Sequence, residues 1–153
     1  MRAFSGSSHQ RGNATVELAI ALPLLLLMTL AVVDVGRMLS QYAALTSAIR
    51  NACRYVASNA TLGSTGVVNI TPELQLAAGN LVATGSTGGS GTALLPGLSA
   101  SDVTVADSGS GYVSVTASYG YQPLIASGLP TFGLLPPISL AVTMRAQTVM
   151  RAF

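Results

Sequence analysis

Lysine and tryptophan are absent from this 153-residue chain, cysteine and histidine occur once each, and charged residues make up only 8% of it. The single Cys53 excludes an intrachain disulfide framework and a thiolate metal cluster. The single His9 lies in a polar N-terminal stretch, which leaves no material for a His-assisted nucleophile or a His-ligated metal. Seven Arg carry all the basic charge, are spread along the chain and form no stripe, and aromatics are few, so nucleic-acid binding is not indicated. An ordinary globular domain has about 25% charged residues. A chain that is half apolar and this poor in charge needs a membrane segment or a large buried surface, and its apolar content rules out intrinsic disorder. Sixteen Gly and seven Pro argue against a long all-helical protein, and the length allows one domain with at most an appendage.

The five carboxylates, Glu17, Asp34, Glu73, Asp102 and Asp107, are scattered. Asp102 and Asp107 flank a short apolar alternation, which marks the ends of a strand better than an acid/base pair. The tract GSTGGSGT from Gly85 to Thr92 has neither the Lys nor the strand–helix setting of a phosphate loop and reads as a plain loop. No cofactor, metal site, small-molecule substrate or enzymatic activity is expected.

What is present is concentrated at the N-terminus. Residues 1–12 are polar and basic, with Arg2 and Arg11, and an apolar run then extends from Ala14 to Val33. Residues 18–33 are free of charge, and with their flanks they reach the ~20 residues that a helix needs to cross a bilayer. Arg2 and Arg11 precede the run, while Asp34 and Arg37 follow it and cancel. The positive-inside bias therefore puts the N-terminus in the cytoplasm and the rest beyond the inner membrane. A secretory signal peptide has the same basic start, but no A-x-A site follows the run and Glu17 stands at its mouth. An uncleaved single-pass anchor fits better.

From Val35 the apolar positions step by three and four: Val35, Met38, Leu39, Tyr42, Leu45, Ile49, Ala52, Cys53 and Val56. Arg37, Ser40, Gln41, Ser47, Arg50, Asn51 and Arg54 occupy the other face. One helix from about Asn13 to about Ser58 is expected, on the order of 70 Å long at ~1.5 Å per residue. About 30 Å of it would cross the bilayer; the rest is an amphipathic stem that needs a partner surface. Pro23 lacks a backbone donor and crowds the carbonyl of Ala19, which predicts a bend. Cys53, on the apolar face, reads as a core residue.

The stretch RGNATVELAIALPLLLL, from Arg11 to Leu27, resembles the processing site of class III type IV prepilins and their relatives in the tight-adherence (Tad) system. There a Gly is followed by four residues and a Glu, inside the start of an apolar helix; here these are Gly12, Asn13 to Val16, and Glu17. The following GRMLSQYAALTSAIRNACRYVA resembles the helix continuation of the TadE-like family. Where that motif often carries an aromatic after the Glu, this chain has Leu18. The resemblance implies cleavage by a prepilin peptidase between Gly12 and Asn13. It also implies assembly with other pilin or pseudopilin subunits and with the Tad assembly platform, Glu17 neutralising the new amine of a neighbour's Asn13. Gly12 offers the peptidase an unobstructed backbone. A carboxylate costs roughly 2.5–3.5 kcal/mol at the centre of a membrane helix and less near its edge. As a mere partner of the helix dipole Glu17 would contribute about 0.3–1 kcal/mol, which accounts for neither Gly12 nor the leader. Major pilins of this class are little more than the helix, so the extra residues 59–153 favour a minor pilin or pseudopilin.

In the C-terminal half, Thr71-Pro72-Glu73 is a helix start, followed by a short helix to about Val82 with Leu74, Ala77, Ala78 and Leu81 on one face. DVTVAD and GYVSVTASYGY alternate with period two around Ser-Gly-Ser-Gly and predict an antiparallel hairpin. Pro123 closes its second strand, Pro130, Pro136 and Pro137 mark an irregular crossing, and alternation resumes from Ile138 as a last strand. The expected fold is α+β: a long transmembrane and stem helix, then a small antiparallel-sheet head with one short helix. The domain reading is a cleaved leader, 1–12, a helix, 13–58, and an extracytoplasmic head, 59–153. The function expected is a pilin-like subunit in assembly of an adhesive pilus; the alternatives are a bitopic membrane protein whose head binds something unrelated to pili, and a secreted protein cut after the apolar run. The net charge of +2 comes from Arg2 and Arg11, since residues 13–153 hold five Arg against five acids.

Overall fold

The structure, a computed structural model, describes residues 9–60, 67–124 and 141–152, with side chains from residue 14 onward. It is α+β, as expected. The first helix, α1, runs His9–Asn59 without interruption, and Pro23 lies inside it. It starts one turn before Asn13, so Gly12 is within the helix. Helix α2 spans Pro72–Thr84, and strands β1 (Val103–Gly109), β2 (Tyr112–Gly120) and β3 (Thr143–Arg151) follow. The strands form one antiparallel sheet in the order β1-β2-β3.

Local chemistry sets each boundary. The Thr71 hydroxyl accepts the amide of Leu74 at 3.2 Å, Pro72 opens α2, and Gly85 ends it in the left-handed conformation at φ 76°. That helix ends two residues beyond the expected Val82, and Gly85 bonds back to Leu81 at 3.0 Å as its cap. The glycine-rich tract is a loop, as expected, and Leu95 and Leu98 just after it return to the core. Ser99 and Asp102 cap a 3-10 turn, Ala100–Asp102, that leads directly into β1. The hairpin turns through Gly109, Ser110 and Gly111, all at positive φ, and Asp107 accepts the Gly109 amide at 2.8 Å. Two glycines in three residues make that turn accessible. The last strand begins at Thr143; residues 138–140 and Pro130, Pro136 and Pro137 lie outside the described residues, and Pro123 stands three positions past the end of β2.

The core is the stem of α1 against the sheet on one side and α2 on the other. Leu45, Ile49, Cys53 and Val56 are fully buried with Val113 and Val115 of β2 and Val82 of α2. Each such aliphatic side chain stabilises the fold by about 1.5–3 kcal/mol relative to exposure. Close approach of α2 to the 3-10 turn depends on Gly79, where a Cβ would lie 2.8 Å from the Ala100 carbonyl oxygen.

One part of the expected apolar face is corrected. Met38 and the positions from Leu45 onward pack inward, but Val35, Leu39 and Tyr42 are 47%, 60% and 44% exposed. The head covers only part of the helical stripe near the membrane end, and Val35, Leu39 and Tyr42 fall outside its footprint. In α2, Gly79, Val82 and Ala83 are buried with Leu74 and Ala78, while Ala77 and Leu81 are half-buried.

Candidate functional site

Strand β2 lies lengthwise on α1 and runs the opposite way. The Cys53 thiol approaches the Val113 carbonyl at 3.8 Å, Tyr119 Oη bonds Gln41 Oε1 at 3.2 Å, and Tyr121 Oη bonds the Asp34 carboxylate. Helix positions fall from 53 to 34 as strand positions rise from 113 to 121. Nineteen helical steps at ~1.5 Å and eight strand steps at ~3.4 Å both span roughly 27–29 Å. The two elements therefore keep pace along their whole contact.

This alignment brings the far end of β2 to Asp34, the first residue after the apolar run. Asp34 is 4% exposed, one of two buried polar or charged residues among those described. Its Oδ1 accepts from the Tyr121 hydroxyl and from the Leu124 amide, the latter at 3.1 Å, and the Tyr121 hydroxyl also lies 3.1 Å from the Asp34 carbonyl oxygen. A buried carboxylate needs such donors, since an unpaired one carries a large desolvation cost. Burial, then the hydrogen bond and negative charge of Asp34, push the Tyr121 phenol up to about 12, against a partial lowering by Arg37. Tyr119 is raised too, by burial; its hydroxyl has a second acceptor in the Pro96 carbonyl, 3.2 Å away. Asp34, Tyr119 and Tyr121 were not picked out by reading the sequence. The available signal was a lone acid directly after an apolar run, with two tyrosines at period two near a strand end.

Below Asp34 the helix is bare. None of residues 14–33 is buried, and Ile20 and Val32 are 74% and 70% exposed. By length and composition α1 qualifies to cross a membrane. The residues singled out in the sequence all lie on this part of α1. Gly12 and Asn13 are in its helical backbone, Glu17 is exposed, Leu18 is 58% exposed, and Pro23 is half-buried in the helix interior. Glu17 stands three residues after Ala14, where the apolar run opens, and 17 residues before Asp34, where contact with the head begins.

Elsewhere, Cys53 is fully buried and burial raises its thiol pKa, which suits a core residue rather than a nucleophile. A groove of about 450 Å³ between α2 and the start of β1 is lined by uncharged residues, among them Gln75, Leu76, Ser101 and Thr104. Among the described residues no three His, Cys, Asp or Glu side chains converge on a possible metal position.

The bare part of α1, Asp34 and most of the stem fall within one matched segment: residues 12–54 fit the family model described as TadE-like protein. That part of α1 is similar to the TadE-like family. The match ends in the stem and leaves α2 and the sheet outside it. It connects the chain with pilin-like proteins of the Tad pilus, and the single apolar helix fits a single-pass membrane protein of such a system. No curated protein and no solved structure matches the chain.

Proposed function

We propose that the chain is a minor pilin or pseudopilin that acts as a structural subunit in assembly of a Tad-type adhesive pilus. The observation that carries this reading is the TadE-like match, which opens at Gly12 with Glu17 five positions on and continues through the exposed span into the stem. In this reading a prepilin peptidase removes residues 1–12 at the cytoplasmic face, and residues 59–153 form a head on the far side of the inner membrane. The basic leader supports that orientation. Gly12 is helical in the uncut chain, so cleavage requires local unwinding. A glycine lowers that cost by about 1 kcal/mol relative to Ala in a helix interior.

After cleavage the subunit presents an uncovered helix, uncharged from Leu18 to Val33, to lipid and then to neighbouring pilin or pseudopilin helices. Glu17 pairs with the amine of Asn13 on a neighbour, which offsets the cost of a carboxylate at the membrane edge. Pro23 supplies a bend that lets the span adapt between bilayer and assembly. The head, clamped to the stem, travels with it as one body.

The test is the mature N-terminus. Mass spectrometry of membrane-associated protein co-expressed with a prepilin peptidase is expected to find Asn13 first. Gly12→Val is expected to abolish that trimming and leave membrane insertion unchanged. A start at Met1 in the presence of active peptidase, or trimming that persists in the variant, would sink the reading.

A further inference from the structure

The end of the head nearest the span is apolar on its outside. Leu124 and Val142 are 57% and 50% exposed, yet both are held in place by backbone bonds. The Leu124 amide bonds Asp34 Oδ1 at 3.1 Å, and the Val142 carbonyl accepts the Tyr121 amide at 2.9 Å. On the stem at the same level, Val35 and Leu39 are also exposed, and they continue the bare surface of Val32 and Val33. Between the head and stem residues an apolar-walled notch of about 100 Å³ is lined by Asp34, Val35, Met38, Tyr121 and Val142.

Scattered exposed aliphatic residues on a soluble domain need no explanation. These four are different because they adjoin the bare part of α1 and come from three separate parts of the chain, the stem, the stretch after β2 and the stretch before β3. Their height is also right. From Val35 to Leu39 is about 6 Å along the helix, and each headgroup layer of a bilayer is about 5–8 Å thick. Tyr42, a further turn on and 44% exposed, is the residue type enriched at that boundary. Beyond it the exposed face becomes polar, with Ser47, Arg50, Asn51 and Arg54.

The charge distribution agrees. No charged residue occurs between Asp107 and Arg145. Asp34, which would hold a bare carboxylate at the lipid boundary, has its donors within the protein. Arg37, half-buried one turn above, is the single charged side chain among residues 35–49 and suits a phosphate group.

We propose that Val35, Leu39, Leu124 and Val142 form a collar that rests in the phospholipid headgroup layer, so that the head is seated on the bilayer rather than held above it by a free stem. This rests on the reading of α1 as membrane-spanning. The clamp of Asp34 by Tyr121 and the Leu124 amide is what permits the seating, since it supplies from within the protein the donors that water would otherwise have to provide.

The test uses an environment-sensitive fluorophore attached to Leu124→Cys and, separately, to Val142→Cys in the full chain. The protein is reconstituted in phosphatidylcholine/phosphatidylglycerol vesicles with or without lipids carrying a nitroxide near the headgroup or, for position 24, near the end of the acyl chain. The wild type, whose one thiol is buried, controls for background labelling. Leu76→Cys, exposed on α2, reports a position clear of lipid, and Leu24→Cys reports the span. Blue-shifted emission that nitroxide lipid quenches at both 124 and 142, with neither effect at 76, is the expected result. Emission at 124 and 142 matching that at 76 overturns the collar while quenching at 24 leaves the span intact. A blue shift without lipid quenching assigns the patch to a protein partner and also overturns it. Absence of quenching at 24 removes the spanning reading and the collar together.

Discussion

Tyr121 donates its phenolic hydrogen bond to the buried carboxylate of Asp34 across 87 residues of chain, at the level where the bare part of α1 gives way to the head. The bond ties the end of the central strand to the first turn above the span. The Leu124 amide supplies the second donor to the same oxygen. Bending of the stem away from the sheet would have to break both.

Tyr121→Phe is therefore expected to destabilise the head–stem contact by about 1–3 kcal/mol, the cost of leaving a buried acceptor short of a partner. Thermal unfolding of the detergent-solubilised protein measures it. Combined with Asp34→Ala, the loss is expected to be smaller than the sum of the two single losses, because the groups act as a unit. Strict additivity would show that the bond carries no coupling.

The same pair predicts an alkaline limit. Tyr121 is raised from about 10 to about 12, so the folded state holds its phenolic proton where the unfolded state releases it. Stability from this group is complete below pH 10 and is lost as pH rises from 10 through about 12. Tyr119 acts in the same direction. Tyrosinate absorbance is expected to show a late-titrating component that Tyr121→Phe removes, together with a shallower fall of stability in that range.

Gly79→Ala separates helix propensity from packing. In α2 the change gains about 1 kcal/mol of propensity, but the new Cβ meets the Ala100 carbonyl at 2.8 Å and cannot stay there. Overpacking of this kind costs about 1–3 kcal/mol, so a net loss in melting temperature is expected. Gly36→Ala is the control, since nothing lies within 4 Å of its Cβ position and the propensity gain stands alone.

Cys53 is expected to resist alkylation by a maleimide in the folded protein and to react quickly once the head is unfolded in denaturant. Full burial and a raised thiol pKa both slow the native reaction. Rapid labelling under native conditions would mean that the stem separates from the sheet readily.

Glu17→Ala tests the assembly reading apart from processing. Membrane insertion is expected to be unchanged, and co-purification with other pilin-like subunits to fall. Unaltered co-purification would reduce Glu17 to a partner of the helix dipole, worth about 0.3–1 kcal/mol.

Periodicity alone carried the reading of this chain a long way. The uncharged run from Leu18 to Val33, the three-and-four spacing from Leu45 to Val56, the Thr71-Pro72 start and the alternation around Ser108–Gly111 are all local signals, and each became the expected element. Gly12 and Glu17 were singled out from a linear motif, which is read as a string. Asp34, Tyr119 and Tyr121 were not, since their meaning lies in a pairing between a helix and a strand far apart in sequence.

The division has one physical origin. Spacing along a chain specifies which side of a helix or strand a residue occupies, so the sequence by itself determined the long N-terminal helix, the hairpin and the apolar stripe of the stem. It does not specify how far a partner extends along that stripe. The docked sheet decided that, covering Leu45 and Ile49 completely while leaving Val35, Leu39 and Tyr42 in the open. It also decided that Asp34, one carboxylate among five in the sequence, is the buried acceptor to which the end of the head is bonded.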